Sequence, residues 1–321
     1  MTKVLLINTG GTIAMSEDHT TGKVSPSSAN PIHQQSNLFQ NLAEITVVDL
    51  FNLPSPHMNE EKMLALSQYI QEEAGRFDGI VVTHGTDTLE ETAYFLELTL
   101  DLLIPVVLTG AMRSSNEIGA DGLANLRSSI LVAAAPESHS KGVIVVMNEE
   151  IHAATYVTKT HTTNLATFQT PTFGPIGLIS KNQVLYFQNI IRQEYYPLQE
   201  VKQKVALLKA FSGMDGSLIR AVGQAGFKGL ILEGLGAGNM PPETVQAIEE
   251  LIEQGLPVIM VSRAFNGVTE DVYDYRGGGK QLRQAGVIFA QGLSGVKARL
   301  KLLVLLNTEQ KVDIEAAFTL T

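Results

Sequence analysis

The run Val4-Leu5-Leu6-Ile7-Asn8-Thr9-Gly10-Gly11-Thr12 constrains this chain more than any other segment. A short aliphatic run without polar alternation marks a strand buried on both faces, as in a parallel sheet with helices on either side. The paired glycines that end it let the backbone turn sharply and approach a ligand closely, since neither carries a Cβ. Thr12 is thereby placed just past the carboxyl end of a strand, where open α/β sheets keep their ligands. Alone, such a turn suits the cradling of a phosphate as well as chemistry on a hydroxyl. A second segment, Val81-Val82-Thr83-His84-Gly85-Thr86-Asp87-Thr88, repeats the plan: apolar strand, glycine, threonine, then aspartate.

Alternating strand and helix signals extend this pattern. Strands are predicted at 4–8, 45–50, 79–83, 105–109 and 142–147. The clearest helix begins after Asn59 as N-cap, with Glu60 and Glu61 in its first turn, Met63, Leu66, Ile70 and Ala74 on one face, and Gly75 as its stop. Two more are predicted over 89–100 and 121–135. The Thr-rich stretch 151–187 reads as extended structure or hairpins, and 189–203 as a linker. Strands at 205–210, 229–233 and 257–262 then alternate with helices at 217–225, 241–254 and 295–306. The expected fold is α/β with two domains: a larger, mostly parallel N-terminal sheet with flanking helices (1–188) and a smaller doubly wound parallel sheet (204–321).

Composition removes several function classes. A net charge of -10 opposes nonspecific nucleic-acid binding, and the absence of cysteine excludes disulfides and thiolate chemistry. No apolar run approaches a bilayer span, and the N-terminal residues lack the pattern of a signal peptide, so a cytoplasmic protein without membrane association is expected. The seven histidines show no metal-ligand spacing.

The polar segment 15–35, directly after the Gly-Gly-Thr turn, has the length and position of a loop that closes over a site. A threonine hydroxyl needs a base before it attacks anything, and Lys159, in Val157-Thr158-Lys159-Thr160-His161, is the conspicuous partner. Thr86, Lys159 and Asp87 would form a Thr-Lys-Asp analogue of a nucleophile, base and orienter set, if the fold brings them together.

The blocks Thr9-Gly10-Gly11-Thr12-Ile13-Ala14, His84-Gly85-Thr86-Asp87-Thr88-Leu89-Glu90-Glu91-Thr92, Thr109-Gly110-Ala111-Met112-Arg113 and Val157-Thr158-Lys159-Thr160 resemble, in order and separation, the signatures of the bacterial-type L-asparaginases. The resemblance covers essentially the whole chain. It implies a two-domain α/β amidohydrolase, cytoplasmic and type I-like. Such an enzyme converts L-asparagine to L-aspartate and ammonia, with some glutaminase activity and no cofactor. By this resemblance Thr12 attacks the side-chain amide to form an acyl-enzyme. Thr86, Lys159 and Asp87 handle protons, and Asp87 also pairs the substrate's α-ammonium. Ser55 helps bind the α-carboxylate, Ala111 offers its backbone carbonyl to the amide, and N–H groups beside Gly11 and Thr86 serve the oxyanion. A homodimer, or a homotetramer built from intimate dimers, is implied as well.

The sequence departs from that pattern in places. Family members carry a lid tyrosine near the nucleophile, whereas the first tyrosine here is Tyr69. Anchoring on Gly22-Lys23-Val24 puts His19 in its place; ungapped alignment from Thr12 puts Gly22 or Lys23 there. Glu270 and Tyr273 are candidates for the glutamate that a neighbouring subunit supplies in periplasmic members. Leu235-Gly236-Ala237-Gly238-Asn239 lacks the full dinucleotide spacing and reads as a tight turn; Arg276-Gly277-Gly278-Gly279-Lys280-Gln281 is no Walker loop, and Ser138-His139-Ser140-Lys141 lacks companion motifs. Two other readings stand beside L-asparaginase: an asparaginase-like subunit of a glutamyl-tRNA amidotransferase, and a noncatalytic nucleotide or amino-acid binding module.

Overall fold

The computed structural model describes residues 1–18, 21, 23–26, 36–190 and 194–319, and it divides into two compact units, Met1–Tyr195 and Tyr196–Thr321. His19 and Gly22 lie outside the described residues.

The first unit is built on β1 (Lys3–Gly10), β2 (Met15–Asp18), β3 (Lys23–Pro26), β4 (Glu44–Leu53), α1 (Glu60–Glu73), β5 (Gly79–Thr83), α2 (Leu89–Thr99), β6 (Val106–Thr109), α3 (Gly122–Ala134) and β7 (Val143–Met147). The shorter strands β8 (Glu150–Ala153), β9 (Thr158–Lys159), β10 (Phe168–Gln169), β11 (Gly177–Ser180) and β12 (Gln183–Tyr186) follow. Eight strands form one sheet in the order β12-β11-β8-β7-β6-β5-β1-β4. From β4 to β7 the pairings are parallel, and β8, β11 and β12 continue the sheet antiparallel. The Thr-rich stretch thus forms hairpins, as its composition suggests. The segment after Thr12 is not wholly irregular: β2 and β3 pair as an antiparallel hairpin.

The apolar run of β1 is buried on both sides. Val4 and Leu6 face Leu126 and Ile130 of α3, while Leu5 and Ile7 face Leu66 and Ile70 of α1 and Leu89 and Leu96 of α2. Helix α1 starts where its cap predicts, with the Asn59 side chain accepting the Lys62 N–H at 3.0 Å. Gly75 does not stop it abruptly; the chain tightens into a 3-10 turn over Ala74–Arg76. Strand order reverses at β1, which has β4 on one side and β5 on the other. Loops leaving the carboxyl ends of β1 and β5 therefore diverge to opposite faces and leave a crevice, the switch point at which α/β sheets hold ligands.

The second unit alternates β13 (Val205–Lys209), α4 (Ser217–Gln224), β14 (Gly229–Gly234), α5 (Val245–Glu253), β15 (Val258–Ser262), α6 (Gly279–Gln284) and β16 (Ile288–Phe289), then closes with α7 (Gly295–Asn307) and α8 (Ile314–Phe318). Its four strands are parallel and lie in chain order. Right-handed crossovers between sequential neighbours put the connecting helices on one face. Helix α7 lies against the sheet, where a Cβ at Gly229 would come within 2.6 Å of Leu302. Residues expected to act as a linker are partly bound into this unit: the N–H groups of Lys202 and Gln203 donate to Asn307, and Thr308 donates to the Pro197 carbonyl. The short α6, β16 and α8 carry no periodic signal, because six residues or fewer span too few turns or alternations to show one.

One buried charge makes the first unit pH-sensitive. Glu97, near the end of α2, accepts the Val143 N–H at 2.6 Å, and burial pushes its carboxyl up from 4.5 to about 7. The folded carboxyl holds its proton more tightly than the unfolded one, so this contribution to stability is complete below 4.5 and lost as pH rises through about 7. Glu97→Gln keeps an acceptor for Val143 without an ionisation. It should stabilise the protein above neutrality by on the order of 3 kcal/mol and much less near pH 5. Urea unfolding at the two pH values checks this; a gain independent of pH contradicts it.

Candidate active site

The ends of β1 and β5 are joined by buried polar side chains before the loops begin. Thr9 Oγ1 donates to the Thr83 carbonyl at 2.8 Å, Thr83 Oγ1 donates to Asn8 Oδ1 at 2.8 Å, and Asn8 Nδ2 donates to Asp49 Oδ1 at 2.9 Å. Beyond them the chain is too crowded for side chains. Gly11 has φ +86, and a Cβ there would lie 2.4 Å from both Cα and N of Gly85. A Cβ at Gly85 would lie 2.6 Å from that of Ser55, and one at Gly110 would lie 2.5 Å from the His84 oxygen and 3.2 Å from the Thr86 methyl. The loops after β1, β4, β5 and β6 thus meet backbone to backbone around Gly85.

This convergence brings Thr86, Asp87, Lys159 and Ser55 together. Lys159 Nζ donates to Thr86 Oγ1 at 3.0 Å and to Asp87 Oδ1 at 2.7 Å. The lysine is placed by the short β9–β10 pair, where it lies opposite Phe168 and where the Thr160 N–H donates to the Thr167 carbonyl. The Lys159 side chain is 15% exposed and that of Asp87 is 62% exposed, so the amine is enclosed while the carboxylate still faces solvent. The Asp87 N–H donates to Ser55 Oγ at 3.2 Å, and Thr88 Oγ1 donates to the Ser55 carbonyl at 2.9 Å. A proton can move between Thr86 and Lys159 while Asp87 holds the amine in place.

Thr12 opens a 3-10 turn over Thr12–Ala14, half-buried between the buried Gly11 and Ile13. Ile13 is packed at the start of α3: a Cβ on Gly122 would lie 3.0 Å from Ile13 Cγ1 and 3.4 Å from the Cβ of Ala111, which is itself fully buried. Ser115 Oγ donates to the Met15 carbonyl at 2.9 Å, tying the loop after β6 to the chain just past Thr12. All seven predicted site residues, Gly11, Thr12, Ser55, Thr86, Asp87, Ala111 and Lys159, therefore belong to the strand-end loops and the β9 segment of the first unit. Glu270 and Tyr273 lie in the second unit, both exposed. Leu235–Asn239 forms the expected tight turn, with the Asn239 N–H donating to the Leu235 carbonyl at 2.9 Å.

Three further residues shape the site without standing out in the sequence. His84 is fully enclosed, and burial lowers its pKa to about 4. Its Nδ1 lies 2.8 Å from the Gly85 carbonyl and its Nε2 lies 2.9 Å from Thr92 Oγ1. A carbonyl only accepts, so Nδ1 carries the proton, and the neutral ring links the Gly85 peptide to α2. Asp121 precedes α3 but does not cap it; its carboxylate accepts the N–H groups of Met112 and Arg113. Asn125, buried one turn on, donates to both Asp121 and the Gly110 carbonyl. An aspartate before a helix is usually a cap, and nothing local signals that this one reaches back nine residues. Among the described residues no cluster of three or more His, Asp or Glu side chains is placed to hold a metal, and no helix is long and apolar enough to cross a membrane.

Residues 3–192 match the model of the N-terminal asparaginase domain, and residues 204–318 match that of the glutaminase/asparaginase C-terminal domain. The chain belongs to the asparaginase family. It is 38% identical over 306 residues to an L-asparaginase of Bacillus licheniformis, covering 95% of each chain. It is 39% identical over 328 residues to a probable L-asparaginase of Deinococcus radiodurans, covering 99% of this chain and 97% of the other. The crystal structure of a probable cytoplasmic L-asparaginase from Campylobacter jejuni superimposes with a TM-score of 0.86 at 34% identity, covering 99% of both chains.

The glycine contacts give a direct stability prediction. Gly11→Ala places a methyl inside the Gly85 backbone at a positive φ and should cost roughly 2–4 kcal/mol. Gly75→Ala, whose Cβ would meet nothing within 4 Å, should be neutral or stabilising by about 0.5–1 kcal/mol. Urea midpoints of both variants check this, and a tolerated Gly11→Ala contradicts the packing described.

Proposed function

We propose that the protein is an L-asparaginase that hydrolyses the side-chain amide of L-asparagine through an acyl-enzyme on Thr12. The observation that carries this reading is the double contact of Lys159 Nζ with Thr86 and Asp87, one strand away from the Gly-Gly-Thr turn, in a chain of the asparaginase family. Asp87 and Ser55 sit side by side, an exposed carboxylate for the substrate's α-ammonium and a hydroxyl for its α-carboxylate. That pairing suits a free amino acid. With the backbone held there, Thr12 Oγ attacks the amide carbon and gives up its hydroxyl proton, which the Thr86–Lys159 pair takes and later passes to the leaving nitrogen, while the negative charge that develops on oxygen falls to N–H groups beside Gly11 and Thr86. Collapse of this intermediate breaks the carbon–nitrogen bond. The leaving nitrogen takes a proton through the Thr86–Lys159 pair, and its N–H is accepted by the Ala111 carbonyl. Water then releases aspartate by the reverse route. No metal or organic cofactor enters any step.

The same side-chain contacts admit the longer amide of L-glutamine with poorer fit, so minor glutaminase activity belongs to the proposal. Placement in the cytoplasm and assembly as a homodimer or homotetramer are proposed on family resemblance. The exposed Val272, Tyr273 and Tyr275 of the second unit support self-association.

Thr12→Ala and Thr86→Ala should each lower ammonia release from L-asparagine by roughly a thousandfold with urea midpoints preserved, and Lys159→Met should behave like Thr86→Ala. Ser55→Ala should raise KM more than it lowers kcat. A Thr12→Ala enzyme that keeps substantial activity overturns the assignment of the nucleophile.

A further inference from the structure

We propose that Asp121, held by Asn125, is the positioning residue for the Ala111 carbonyl and strengthens it as an acceptor for the leaving amide; the inference rests on the amide-hydrolysis reading above. The Asp121 carboxylate takes the Met112 N–H with both oxygens, at 3.1 and 3.0 Å, and the Arg113 N–H at 3.0 Å. The Met112 N–H and the Ala111 C=O are the two ends of one planar trans peptide unit, so they point in opposite directions. Fixing the N–H on Asp121 therefore fixes the Ala111 oxygen on the far side of that peptide, away from the carboxylate.

Charge adds to position. Hydrogen bonds to a carboxylate are roughly twice as strong as neutral ones. An anion at the N–H end of an amide also polarises it, placing more negative charge on the carbonyl oxygen. Such an oxygen is a better acceptor for a nitrogen that becomes ammonia-like as its bond to carbon breaks. Asn125 completes the clamp. Its Nδ2 donates to Asp121 Oδ2 and to the Gly110 carbonyl, both at 3.0 Å, and its Oδ1 accepts the Asn148 N–H at 3.0 Å. The peptides on either side of Ala111 are thus both held from the first turn of α3, the turn that also packs on Ile13 beside Thr12.

The test compares kcat/KM for L-asparagine with that for the β-methyl ester of L-aspartate, whose leaving group presents no N–H to Ala111. Asp121→Asn removes the charge and keeps one acceptor oxygen. Its kcat/KM for asparagine should fall at least roughly tenfold while that for the ester changes less than about threefold. Asn125→Ala, which loosens the clamp without touching the charge, should lower the same amide-to-ester ratio by a smaller factor, and it decides the matter if Asp121→Asn does not fold. Equal losses on both substrates, or an unchanged ratio in the folded variants, overturn the inference. Failure of the unsubstituted enzyme to hydrolyse asparagine overturns the amide-hydrolysis reading instead.

Discussion

Everything at the site depends on two glycines, Gly11 and Gly85, that touch with no room for a Cβ between them. Strands β1 and β5 are adjacent and parallel, so their carboxyl ends already lie side by side. The absence of side chains at the first loop positions then lets the two loops close on each other. One residue further along each loop stands a threonine, Thr12 on one side and Thr86 on the other. The strand reversal lies at β1, and the glycine contact brings the loops that carry the two threonines against each other.

Around that contact the protein divides its work between rigid and charged parts. The hydrogen bonds among Thr9, Thr83, Asn8 and Asp49 lock the strand ends, and neutral His84 locks the Gly85 peptide. Asn8, Thr9, Thr83 and His84 are buried and satisfied, so they hold geometry rather than move protons. Asp87, in the loop after β5, and Lys159, at the end of β9, meet at 2.7 Å. Asp121 serves the loop after β6 in a similar way, its carboxylate accepting the backbone N–H groups of Met112 and Arg113.

Much of this was legible in the sequence. The apolar runs at 79–83 and 4–8 marked their strands because parallel strands are buried on both faces, and Asn59 marked the start of α1 because its side chain caps it. The set of Thr86, Asp87 and Lys159 could be named from residue type and from family resemblance, but not seen to meet, since 72 residues separate Lys159 from Asp87 and no local pattern spans that distance. Asp121 was hidden for a different reason: its position before α3 suggests capping, and only the folded loop reveals the Met112 and Arg113 N–H groups that draw its carboxylate away. Short elements such as β16 escaped because two residues carry no period at all.

The central claim is that Thr12, rather than Thr86, is the residue acylated by substrate, and peptide mapping tests it most directly. The unsubstituted enzyme mixed with L-asparagine and quenched in acid before turnover completes should retain bound aspartyl groups, because hydrolysis of the ester is a step separate from the attack that forms it. The account predicts that mass spectrometry places the aspartyl ester on the peptide containing Thr12. An ester on the peptide containing Thr86 contradicts it.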